Sequence, residues 1–174
     1  SPDSLHLYVV AGPATRLGTV AQLPHSGGAI DPADIESLER LLLVLESDGR
    51  GSARRLVAIE DMGALTDSLT DCGRPDLVSR VENLVRHREG VTWLSGATDV
   101  RSLSLRLSQA FDVRLALAMD DPSLLTSTGH DIDLALAASR TVDLLSGLET
   151  LLPMPGGRAV ADAVARVTEV PLEN

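Results

Sequence analysis

Short apolar runs alternate along this chain with stretches of helical spacing, and that alternation restricts the fold more than any other feature. Leu5 to Ala11, "LHLYVVA", alternates and then becomes continuously apolar, the pattern of a strand buried on both faces. Gly12-Pro13 ends it. Leu56 to Ile59 is a second such run, entered through Arg54-Arg55 and left through Glu60-Asp61. "GVTWLSG", residues 90–96, and "VRLALAM", Val113 to Met119, read as a third and a fourth strand. Pro24, Gly27 and Gly28 predict a loop in "LGTVAQLPHSGGAI". "DPADIESLERLLLVLES" predicts a helix: Asp31 or Asp34 caps it, Leu38, Leu41, Leu42 and Leu45 form one stripe, and Gly49 and Gly51 stop it. Met62 to Leu69 reads as a short helix. Pro75 to Arg88 reads as a longer one, with Leu77, Val81, Leu84 and Val85 inward. Val100 to Gln109 reads as a further helix.

Strands alternating with helices predict an α/β domain with a largely parallel sheet. In such sheets chemistry gathers at the carboxyl ends of the strands. Those ends are Ala11-Gly12, Glu60-Asp61, Ser95-Gly96 and Asp120-Asp121. Towards the carboxyl terminus the pattern is less decisive. "DIDLALAASRTVDLL" has helical spacing in loop-like surroundings. "GGRAVADAVARVTEVPL" suits a helix or a closing β-hairpin, and the β-branched Val164, Val167, Thr168 and Val170 favour strands. No internal repeat, low-complexity segment or linker is visible, so residues 1–174 are expected to form a single domain.

Composition removes several classes of function. With 174 residues the chain is long enough for one domain that buries roughly 70% of its unfolded surface. No apolar run reaches the ~18 residues of a membrane span, and "SPDSLHLY" lacks the regions of a signal peptide. Together with the single cysteine, this suggests a cytoplasmic setting. Cys72 is expected to be a half-buried small residue rather than a nucleophile. Tyr8, Trp93 and Phe111 are the only aromatics, so the core must be aliphatic. A net charge of −10 opposes free-standing nucleic-acid binding. All 15 basic residues are arginine. A phosphate-binding loop of the form G-x-x-x-x-G-K-[ST] needs a lysine to reach the β- and γ-phosphates, so these residues do not contain one.

The candidate functional pair is Glu60-Asp61, where a buried strand delivers two carboxylates to the sheet edge; the alternative is a solvated acidic turn. Asp120-Asp121 precedes Pro122 and reads better as a helix cap than as a metal site. His25 sits in a Pro/Gly loop. His6, His87 and His130 are too dispersed to suggest zinc. No G-x-S-x-G elbow supports a hydrolase triad, and no G-x-G-x-x-G supports a dinucleotide site.

Six stretches, in order, resemble the second half of an FtsK/SpoIIIE-type motor ATPase domain, nearest the actinobacterial EccC-like branch of type VII secretion. "LHLYVVAGPATRLGTVAQLPHSGGAI" is similar to the strand after the phosphate-loop helix and its "L-P-H-x-G" loop. "DIESLERLLLVLE" is similar to the next helix, and "RRLVAIEDMGAL" to the Walker B strand. "GVTWLSGATDVRSL" is similar to the sensor strand. "FDVRLALAMDDPS" is similar to the next strand, and "PGGRAV" with "VTEVPL" to the closing segment. The family often has Asp-Phe where this chain has Ala11-Gly12, and the sensor strand lacks a strong polar or basic end.

The resemblance implies a RecA-like, P-loop NTPase-type fold. It implies that Glu60 and Asp61 stand at the Walker B position, as the catalytic pair, and Ser95 at the nucleotide-sensing position. Arg40 and Arg158 would be arginines offered in trans to a neighbouring site. It implies a hexameric ring motor that moves protein or DNA. Its partners would be neighbouring ATPase domains or subunits, and secreted protein its cargo. The setting would be the soluble part of a membrane-anchored machine. Without a phosphate loop the chain alone is expected to bind neither ATP nor Mg²⁺ and to act as a scaffolding or partner-binding module. An intact loop roughly 20 to 40 residues before Leu5 would supply both and make an active ATPase.

Overall fold

A computed structural model describes residues 4–12, 15–47, 53–87, 89–117, 140–146 and 148–151. The main sheet contains β1 (Leu5–Val10), β2 (Ser26–Ile30), β3 (Arg54–Ile59) and β4 (Val91–Ser95), in the order β2-β1-β3-β4. All of its pairings are parallel. Helix α1 (Arg16–Val20) links β1 to β2, and α2 (Ile35–Glu46) links β2 to β3. Helices α3 (Met62–Asp71) and α4 (Pro75–His87) link β3 to β4. The expected α/β architecture, a mostly parallel sheet flanked by helices, is therefore the one observed.

The alternation along the central strands explains why they read as continuously apolar. Tyr8, Val10, Val57 and Ile59 face a large cluster with Leu38, Leu41, Leu42 and Leu45 of α2, Met62, Leu65 and Leu69 of α3, and Leu77, Val81 and Leu84 of α4. Leu7, Val9, Ala11 and Ala58 face the other side, where Leu17, Val20, Ala21 and Leu23 pack on them. Both faces are covered, so both parities of the strand must be apolar. Asp34 caps α2 by accepting from the Ser37 amide at 3.1 Å, which selects it over Asp31. Arg80 grips Glu46 with two 2.7 Å bonds, and Arg74 bonds Asp76 and Glu39, so arginines tie α2 to α4 along their outer rims.

Four expectations need correction. The stretch read as a loop around Gly27-Gly28 forms α1 and then β2. Glycine weakens a strand interior, but β2 lies at the sheet edge, and Gly28 absorbs the irregular register there with φ 95°. The helix expected over Val100 to Gln109 is two short pieces, a 3-10 turn at Val100–Ser102 and α5 (Leu105–Ser108), with Ser104 capping the second. The expected fourth strand does not join the parallel sheet. Its described part, β5 (Leu115–Ala116), pairs antiparallel with β6 (Arg140–Asp143), which pairs antiparallel with β7 (Glu149–Leu151). Cys72, expected to be half-buried, is exposed. The closing hairpin, Asp120-Asp121 and Arg158 lie outside the described residues.

Candidate functional site

The chain leaves β1 towards β2 on one side and leaves β3 towards β4 on the other. The carboxyl ends of the adjacent strands β1 and β3 therefore flank a topological switch point, where open α/β sheets hold their ligands. Residues 10–12, 59–64 and 95–98 meet there. The Glu60 amide donates to Val10 O at 3.0 Å, and the Gly12 amide donates to Glu60 Oε2 at 3.3 Å. The Gly96 amide donates to Ile59 O and the Met62 amide to Gly96 O, both at 3.0 Å.

Asp61 is the most constrained group of this edge. Its Oδ1 accepts from the Ala64 amide at 3.0 Å, capping α3. Its Oδ2 accepts from the Thr98 hydroxyl at 2.6 Å and the Thr98 amide at 3.2 Å. Partial burial pushes its pKa up. The donors from Thr98, Ala64 and Gly63 outweigh that and hold the carboxyl below the usual aspartate range. Two glycines make the knot fit. A Cβ on Gly96 would run into the Glu60 carbonyl oxygen, and a Cβ on Gly63 would run into the Ser102 hydroxyl.

Of the residues singled out in the sequence, the structure brings Glu60 and Asp61 together at the switch point. Glu60 is exposed; Asp61 is half-buried. Ser95 lies beside Ile59 in the strand register, one residue short of Glu60, and its hydroxyl bonds the Gly96 carbonyl at 3.0 Å. Arg40 is on the solvent face of α2 and pairs with Glu36 at 3.0 Å. His25 uses its carbonyl to pair with the Leu7 amide, and the residue lines an open cavity of about 300 Å³ with His6, Tyr8 and Ser26. Sequence reading named Gly96 only as part of a strand end, and it missed Thr98 and Gly63. A legible signal was Asp61 itself, a favoured N-cap residue directly before the helix expected from Met62. Thr98 had no such signal, because its contact crosses between strands.

These residues do not by themselves fit a magnesium–nucleotide site. Magnesium is usually held by one or two carboxylates together with substrate phosphates, and these residues include no phosphate-loop lysine to hold such phosphates. Among the described residues, no three His, Cys, Asp or Glu side chains converge to hold a metal. No described helix is long and apolar enough to cross a membrane.

No protein-family model matches the sequence. No curated protein matches it either. Solved structures do match. EssC (ATPases 2 and 3) from Geobacillus thermodenitrificans superposes with a TM-score of 0.73 at 17% identity, over 97% of this chain and 37% of that one. Thermomonospora curvata EccC (ATPases 2 and 3), in complex with a signal sequence peptide, gives 0.69 at 15% identity, over 97% and 37%. The cytoplasmic domain of the Thermomonospora curvata type VII secretion ATPase EccC gives 0.69 at 15%, over 97% and 24%. The chain thus spans well under half of each solved chain that it matches. What the comparison establishes is architecture: this chain has the fold of the EssC and EccC ATPase domains.

Proposed function

We propose that this domain is a RecA-like module of a type VII-secretion-type motor, acting as a scaffold or binding partner for neighbouring ATPase domains, and that its own residues do not hydrolyse ATP. The observation that carries this reading is the state of Asp61. At the position where a motor domain presents a carboxylate to magnesium and water, the Asp61 oxygens are instead engaged within the protein, as α3 cap to the Ala64 amide and as acceptor for Thr98. The absence of lysine supports it, since no side chain of this chain can play the phosphate-loop lysine. The likeness in fold to EssC and EccC supports the motor setting.

Partners and place follow from the same likeness. EccC was solved with a signal sequence peptide, so segments of secreted protein are the cargo class proposed for the assembly. The net charge of −10 gives DNA no support. The setting is the cytoplasmic part of a membrane-anchored machine, in keeping with the solved EccC fragment. Arg40 is exposed on α2, and its pair with Glu36 uses one guanidinium nitrogen, which leaves donors for a neighbouring subunit. If a preceding segment supplies an intact phosphate loop, ATP and Mg²⁺ enter with it, Asp61 orients the water, and Glu60 or Asp61 stands on the magnesium side.

Calorimetric titration of the 174-residue chain with Mg-ATP tests the reading. The expected result is no saturable binding in the micromolar range. Micromolar affinity would overturn it.

A further inference from the structure

We infer that His6 and His25 form a two-imidazole site for a borderline divalent transition-metal ion such as Zn²⁺, at the amino-terminal ends of β1 and β2. This inference does not depend on the nucleotide reading above.

Helix α1 and its turns separate the two histidines in sequence, and the parallel pairing of β1 with β2 brings them together. The Leu7 amide donates to His25 O at 2.8 Å, and Leu7 stands opposite Ser26 in the register. His6 and His25 each come one residue earlier, so they are neighbours across the pair. Leu7 and Val9 pack into the smaller apolar cluster. Alternation therefore turns His6 and Tyr8 to the other face of β1. Gly27 shows independently that the β2 side keeps the same phase. A Cβ there would lie 3.8 Å from Cδ1 and 3.9 Å from Cε1 of the Tyr8 ring. His25, two residues before Gly27, belongs to that face as well. All four residues line the cavity of about 300 Å³. Tyr8, packed against the main core, forms its wall, and Gly27 has no side chain to fill it.

The donor set selects the ion. Neighbouring strands run about 4.8 Å apart. Two nitrogens bound to one zinc at about 2.0–2.1 Å stand about 3.3 Å from each other in a tetrahedron. Imidazoles at neighbouring positions converge to that spacing by rotation of their side chains. Imidazole suits zinc, copper and nickel, whereas magnesium and calcium take oxygen ligands. Among the described residues, no carboxylate lines this cavity, which favours the imidazole-seeking ions further. Among the same residues no third His, Cys, Asp or Glu joins the pair. Water takes the remaining positions, so the ion is exchangeable, unlike the four-ligand zinc of a structural site. Once bound, it clips β2 to β1 just before the irregular register between Leu7 and Val9, where the ladder is interrupted.

Titration of the untagged 174-residue chain with Zn²⁺, in excess Mg²⁺ to cover its acidic surface, tests this. Binding is read from the imidazole resonances in NMR spectra and from the thermal unfolding midpoint. Saturable binding of one ion per chain is expected, with the His6 and His25 resonances moving together. The midpoint should rise, because an ion that binds the folded state stabilises it. His6→Gln and His25→Gln should each weaken binding by about tenfold or more, since even a partner of a metal ligand is worth that much. Cys72→Ser and His87→Gln, at exposed positions elsewhere, should leave binding unchanged. No saturable binding, movement of only one of the two histidines, full binding in both Gln variants, or loss of binding in Cys72→Ser or His87→Gln would overturn the inference. Should a variant misfold by circular dichroism, the paired resonances of the native chain decide it.

Discussion

Among the described residues, the two faces of the parallel sheet are built unequally. One carries three helices, α2, α3 and α4, whose leucines, methionine and valines close over Val10, Val57 and Ile59. The other carries α1, five residues long, with Leu17, Val20 and Leu23 only partly buried against Leu7, Val9 and Ala58. Hydrophobic stabilisation scales with the apolar area removed from water, so the helical face holds the fold. The candidate site is rooted in that stronger face: Asp61 is the N-cap of α3, and its partner Thr98 follows β4. The carboxylate pair is thus tied to the rigid side of the molecule, while Gly12, the β1 contribution, leads into the thin side.

The largest effect should come from Leu77→Ala in α4, where the side chain is fully buried. A loss of about 2–5 kcal/mol by urea unfolding is expected. Leu23→Ala on the thin face should cost clearly less, and equal costs would remove the distinction between the faces. Gly63→Ala comes next. The new Cβ meets the Ser102 hydroxyl, so about 1–3 kcal/mol should be lost, and Ser102→Ala in the same background should restore part of it. Asp61→Ala removes the α3 cap and should cost on the order of 1 kcal/mol. Thr98→Val should lower stability too, because it removes the 2.6 Å hydroxyl donor. The smallest effect expected is from Arg40→Ala, since its partner Glu36 is equally solvated. No measurable change in midpoint is expected.

Acid titration probes the same knot. The folded-state pKa of Asp61 lies below its ordinary value of 3.8. Its hydrogen bonds therefore stabilise the fold fully above the unfolded-state pKa, and that contribution is lost as pH falls through the lower folded value. Asp61→Asn should flatten this part of the stability profile. An unchanged acid limb would show that the Thr98 contacts do not persist in solution.

Much of the fold was legible because it follows from local pattern. Leu38, Leu41, Leu42 and Leu45 repeat at helical spacing and are all buried. Leu5 to Ala11 and Leu56 to Ile59 read as strands, and β1 and β3 pair in parallel, residue by residue, from Leu5 opposite Arg54 to Val10 opposite Ile59. The fate of "SGGAI" was not legible, because an edge strand needs backbone pairing more than side chains, and glycine preferences point the other way. Val113 to Met119 was read as a strand, but its described part joins a different sheet from the one expected. Pairing partners are chosen over long sequence separations, and an apolar run does not encode them.

The candidate site divides in the same way. That two acids would end a buried strand at the sheet's carboxyl edge was determined by "LVAIED" alone, since four apolar residues and a charge boundary leave little choice. That the chain carries no phosphate-loop lysine was likewise a matter of composition. Only the tertiary structure decided what the acids do there. It brought Thr98 to Asp61 across 37 residues of sequence and Gly12 to Glu60 across 48. Those contacts depend on the strand order β2-β1-β3-β4. A carboxylate's role is set by the donors that reach it, and which donors reach it is a property of the packed sheet.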